Sequence, residues 1–195
     1  MGARATPLCY RLLFFLRPPI DVAEEIVACW AREWRKCGLL GDVVPAHRLH
    51  FTVAHVKDFA AYPVKEILMA LEAGERFALS ASPIELMLER LFSLGIDENR
   101  PAVLGGWRGV VGVNAVKRNL RPILRDVGLG YSRELKSAAH MTLQYQNRLI
   151  IDRRIDPITW RSCDLFLVNS LVGLGQHDSL GQWSFKGPDQ LSLGL

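Results

Sequence analysis

The chain has 195 residues, 49% of them hydrophobic and 23% charged, with a formal net charge of +4. That composition excludes a disordered chain, and the length suits a single domain over 1–195, made of two lobes around one core. The four cysteines, Cys9, Cys29, Cys37 and Cys163, have no CxxC spacing, which excludes a disulfide framework or a zinc knuckle and predicts reduced, mostly buried thiols in a cytoplasmic protein.

In chain order, the apolar run beginning at Leu8 is too short to span a bilayer and is interrupted by Arg11. It reads as a buried first strand, Tyr10 to Leu16, ended by Pro18 and Pro19, and no membrane partner is expected. Asp21 to Gly38 carries Val22, Ile26, Val27, Trp30 and Trp34 at helical spacing, with an acid at its start and Arg35, Lys36 and Gly38 at its end. Trp30 and Trp34, four apart, are expected in the core. A strand follows over Pro45 to Val56. Tyr62 to Ala73 reads as a helix, Phe77 to Ser82 as a strand, and Leu86 to Leu94 and Ala102 to Leu104 as two more. Gly112 to Val127 is a helix that Pro122 should kink or break. Strands are expected around His140, over Leu165 to Asn169, and over Gln182 to Phe185. Runs of strands with few helices predict an α+β fold with antiparallel sheets.

Two of these strands share a pattern. In HRLHFTVAHV, His50 and Thr52 stand on one face because strand side chains alternate. In AAHMTLQYQ, His140 and Thr142 do the same. With five histidines and four threonines, chance would supply roughly 0.1 His-x-Thr pairs in a chain of this length. Two pairs, ninety residues apart, suggest that one half of the chain mirrors the other.

Across a common groove, such pairs could carry metal-free phosphoryl chemistry. Imidazole titrates near neutrality, so one histidine can take a proton from an attacking oxygen while the other delivers one to a leaving oxygen. The hydroxyls of Thr52 and Thr142 can donate hydrogen bonds to non-bridging phosphate oxygens. His55, on the odd-numbered face with Phe51 and Val53, is expected as a core histidine. His47 is expected on the surface, and His177, in GLGQHDSLGQ, in a solvent-exposed loop.

The double motif, with RLLFFLRPP near the start and the tail strand near Trp183, resembles the 2H phosphoesterase superfamily, and within it the bacterial RNA 2′,3′-cyclic phosphodiesterases, or 2′-5′ RNA ligases. The resemblance implies a bilobal pseudo-two-fold fold, with two antiparallel sheets flanking a central cleft and helices outside. It implies catalytic roles for His50, Thr52, His140 and Thr142, with His140 as the base that activates water and His50 as the acid. The implied substrate is RNA or an oligonucleotide with a 2′,3′-cyclic phosphate end, opened to a 2′-phosphate by a monomer with no cofactor and no metal; the reverse reaction would join 2′,5′ ends. The chain departs from the family at Ala54–Asp58, where an aromatic residue and a glycine turn are common, and at Tyr145, where an arginine is common. Tyr145, Arg148 and Lys57 are the candidate substrate contacts. Two other readings stay open: a metallohydrolase using His47, His50 and His140, and an RNA- or nucleotide-binding module of the same fold.

Overall fold

Strand β1 (Cys9–Leu16) shows how the fold divides its two faces. Leu12, Phe14 and Leu16 enter the main core, while Leu13 and Phe15 form a small second cluster with Val168 on the opposite face. The computed structural model describes residues 8–37, 43–95, 100–106, 110–130, 139–146 and 149–187. After β1 come helix α1 (Ile20–Cys37), a 3-10 turn at Ala46–Arg48, strand β2 (Phe51–Phe59), helix α2 (Val64–Ser80), strands β3 (Ile84–Ser93) and β4 (Arg100–Gly105), helix α3 (Val111–Asp126), and strands β5 (Met141–Gln146), β6 (Arg153–Ser162), β7 (Asp164–Val172) and β8 (Gln176–Ser184). The fold class is α+β.

All pairings are antiparallel, in the order β6-β3-β4-β5-β2-β1-β7-β8. The two expected sheets are therefore two four-stranded halves, β2-β1-β7-β8 and β6-β3-β4-β5. They are joined at one residue pair, Phe51 with Met141. The halves repeat each other in detail. In the first, Phe15 pairs with Thr52 and Phe14 with Ala54, so Val53 is an extra residue. In the second, Val103 pairs with Thr142 and Ala102 with Gln144, so Leu143 is the extra residue. Each half thus has a β-bulge directly after its His-x-Thr threonine.

The helices cover the core face. Helix α2 packs on β7 and β8, α3 on β2 and β3, and α1 on β6. Trp30 of α1 is buried and its indole Nε1 donates to the Gln144 side chain of β5 at 3.3 Å, which ties the first helix to the second half of the sheet. Gly74, inside α2, has a packing reason: a methyl group there would collide with the Trp183 ring of β8. Helix α3 ends in a Schellman motif, in which Gly128 at φ 85° donates to the Arg125 carbonyl and Leu129 to that of Leu124.

Several elements differ from the sequence-based expectation. Phe77 to Ser82 is not a strand, because α2 runs on to Ser80 and buries Phe77 and Ala78 on the face of Ile67, Ala70 and Gly74. Pro122 does not break α3, whose ladder continues to Asp126 with that proline on the exposed side. The first half of Pro45 to Val56 is a 3-10 turn, with the strand starting at Phe51. Strand β6 carries Pro157 and β8 begins at Gln176; both are sheet edges, where a missing donor or a polar run is tolerated. Cys9 and Cys29 are half-buried and Cys163 is exposed, so the described thiols are less buried than expected.

Candidate active site

His50 and His140 each sit on the residue just before their strand begins. Antiparallel pairing of Phe51 with Met141 sets His50 level with Thr142, and Thr52 level with His140. Phe51 and Met141 are buried in the main core, and alternation turns all four flanking residues to the opposite face, where each is half-buried. On regular antiparallel spacing the diagonal pair His50 and His140 would have Cβ atoms about 7–8 Å apart. That leaves room for a tetrahedral phosphate between the rings. The two motifs thus meet at the seam of the two halves.

The surroundings of His50 are tightly built. Its Nδ1 lies 2.6 Å from the Arg48 carbonyl oxygen. A carbonyl only accepts, so Nδ1 carries the hydrogen, and in the neutral ring Nε2 holds the lone pair. The Phe15 ring stacks on the imidazole with centroids 3.7 Å apart and planes 21° from parallel. Burial pushes the His50 pKa down to about 3; the Arg48 carbonyl bond opposes this, and the charges of His177, Arg17 and Arg48 add to it. His50 is therefore neutral around pH 7.

A third histidine joins the first. His177 is not in an exposed loop but in β8, opposite Ser170, half-buried with its ring in edge-on contact with His50 at 5.8 Å between centroids. Burial and the nearby Arg48 and Arg17 push its pKa down to about 4. The only hint in the sequence is the glycine pair just before it. Gly173 and Gly175 take positive φ in the β7–β8 turn, so the chain reverses there and returns as a strand.

His55 is not a core histidine. The bulge at Val53 puts both Val53 and Ala54 in the core and shifts the alternation by one, so His55 pairs with Leu13. Its Nε2 lies 2.7 Å from the Asp58 carboxylate, which accepts two further bonds from Arg11 at 2.7 and 2.8 Å. Arg11 chiefly, helped by His55, holds the Asp58 pKa down to about 2, against the opposing effect of burial. The bulge after Thr142 gives Tyr145 the position in β5 that His55 holds in β2, opposite Pro101. Tyr145 is exposed, and its phenol lies near enough to help raise the Arg11 pKa, after Asp58 and Cys9. Lys57 is exposed, with its ammonium 5.9 Å from the Phe59 ring centroid. Phe59 packs on the main core, so Lys57 is directed away from His50. Arg148 lies outside the described residues. His47 is exposed, as expected. Among the described residues no three His, Cys, Asp or Glu side chains are grouped to hold a metal ion, and no helix is long and apolar enough to cross a membrane.

No protein-family model matches this chain, and no curated protein matches it in sequence. Solved structures do resemble it. The apo structure of E. coli LigT aligns with a TM-score of 0.67 and 22% identity over 90% of this chain and 97% of that one. E. coli LigT complexed with 3′-AMP gives 0.68 and 21% identity over 91% and 99%. TT0787 of Thermus thermophilus gives 0.69 and 19% identity over 91% and 98%. Another match is described as a phosphoesterase, at 0.66 and 21% over 91% and 99%. Nearly the whole of this chain therefore has the fold of E. coli LigT; in this chain it is an eight-stranded antiparallel α+β architecture whose two His-x-Thr motifs lie at the seam of its halves.

Proposed function

We propose that the protein is a metal-independent phosphodiesterase that opens 2′,3′-cyclic phosphate ends of RNA or nucleotides to a 2′-phosphate. The observation that carries this reading is the register of Phe51 with Met141, which brings two imidazoles and two threonines to one face at the seam. The LigT-like fold supports it, and E. coli LigT has been solved with 3′-AMP and with phosphate.

The state of His50 supports the opposite assignment of roles to the one that resemblance alone implies. A half-buried imidazole held neutral, with its lone pair on Nε2, suits a general base better than an acid. The negative charge of a diester bound at the seam would oppose the effect of burial and raise the basicity of Nε2. His50 Nε2 takes a proton from water as the water oxygen bonds to phosphorus. The bond from phosphorus to O3′ breaks, and His140 in its protonated form delivers a proton to O3′. Thr52 and Thr142 donate to the non-bridging oxygens, where charge grows in the transition state. Run in the same direction with a 5′-hydroxyl in place of water, the same steps form a 2′,5′ linkage.

The test is product analysis with a nucleoside 2′,3′-cyclic phosphate, in the presence and absence of chelator. The reading requires a 2′-phosphate product formed at the same rate in both. A 3′-phosphate product, or activity lost to chelator and restored by zinc, overturns it.

A further inference from the structure

On the side of His50 away from His140, the cleft face carries Arg17, Arg48 and His177, none of which has an acidic partner among the described residues. The strand order β5-β2-β1-β7-β8 places His50 between His140 and this region. Its floor is aromatic: Phe15 from β1 and Phe166 from β7, directly paired across the strands. The Arg17 guanidinium lies 5.9 Å from the Phe15 ring centroid and 5.0 Å from that of Phe166. Arg48 reaches the β7–β8 turn, with a terminal nitrogen 3.7 Å from where a side chain on Gly175 would begin. His177 lies 5.5 Å from Phe15, within electrostatic reach of both arginines.

Three side-chain nitrogens in this region find no hydrogen-bond partner among the described residues. They are the buried Nε atoms of Arg17 and Arg48 and the buried Nδ1 of His177. Leaving buried donors unmatched is unfavourable, and structures rarely do so without a reason. The charges that act on His50 and His177 in this region are all positive. The Arg17 guanidinium over two aromatic rings and the Arg48 guanidinium at the β7–β8 turn, with no carboxylate partner among the described residues, match a phosphate anion in charge and in donor geometry. The region's centre lies about two strand spacings, roughly 10 Å, from the seam where the reacting phosphate is placed.

We infer that Arg17, Arg48 and His177 form a second phosphate subsite, which binds the phosphate on the 5′ side of the nucleotide whose 2′,3′-cyclic phosphate reacts. This rests on the cyclic phosphodiesterase reading and narrows its substrate class. The substrate is an oligonucleotide end or a 5′-phosphorylated nucleotide, in preference to a bare nucleoside cyclic phosphate. Of the three groups, the arginines supply the charge, and His177 supplies a neutral donor in the tautomer that carries its hydrogen on Nδ1.

The test is binding of unreactive ligands by calorimetry, comparing adenosine 3′-phosphate with adenosine 3′,5′-bisphosphate. The wild type is expected to bind the bisphosphate at least about tenfold more tightly, as a charge-assisted pair demands. Arg48→Gln and Arg17→Gln should each bring the ratio toward one, and His177→Phe should lower it less. Melting curves identify the variants that fold, and either arginine variant alone is sufficient. A ratio near one in the wild type, or an unchanged ratio in a folded arginine variant, overturns the subsite. Because no turnover is measured, the ratio can hold even if no cyclic phosphate is opened, and the two readings fail separately.

Discussion

Phe15 lies flat on the His50 imidazole, with ring centroids 3.7 Å apart, on a strand that pairs directly with the strand His50 precedes. A fully buried phenyl ring thus fixes one face of the histidine while the Arg48 carbonyl fixes its Nδ1. Ring orientation and tautomer are both set before any substrate arrives.

Replacing that ring separates packing from chemistry. Phe15→Ala should destabilise the fold by about 3–5 kcal/mol, as expected for truncating a buried aromatic. Phe15→Leu retains most of the apolar volume and should fold, with turnover reduced by about tenfold or more because the imidazole loses its stop. Denaturant melts and steady-state rates on the Leu variant check this. Wild-type turnover there would mean that the stack is only packing.

The low pKa of His50 makes a statement about stability. In the unfolded chain the imidazole titrates near 6.5, and in the fold it titrates at about 3. Between those values the unfolded state holds a proton that the folded state lacks, so stability falls as pH is lowered through that window. The limiting slope for one such group is about 1.4 kcal/mol per pH unit. His177 adds to the loss between its ordinary value and about 4. Unfolding free energies measured from pH 7 to pH 4 should fall, and His177→Phe should make the fall shallower. A slope unchanged in that variant would contradict the shift assigned to His177.

The acid and base roles can be told apart by the leaving group. A diester whose leaving group is nitrophenolate needs no proton on departure. His140→Ala should therefore recover most of its activity on such a substrate, while His50→Ala stays impaired. Recovery by His50→Ala alone would restore the roles that the family resemblance implies.

Much of the site is legible in the residues, because the two His-x-Thr pairs sit in strands that alternate cleanly as far as the threonine. What fails is the alternation after it. The bulge at Val53 inserts one residue, so His55 leaves the core face for a bond with Asp58, which no count with period two can anticipate. His177 is hidden for a different reason. It lies on an edge strand with a polar, glycine-containing sequence, and its partner His50 is far away in the chain. The apolar run at Phe77 misleads in the opposite sense, since a buried helix end and a short strand look alike without their neighbours.

The most direct measurement is kcat/KM on a 2′,3′-cyclic phosphate for wild type, His50→Ala, His140→Ala and the double variant, with folding checked by melting. The account predicts a loss on the order of 10²–10⁴ for each single variant. The double variant should lose far less than the product of the two, because the groups act as a unit. A folded His50→Ala or His140→Ala protein that retains wild-type turnover would contradict it.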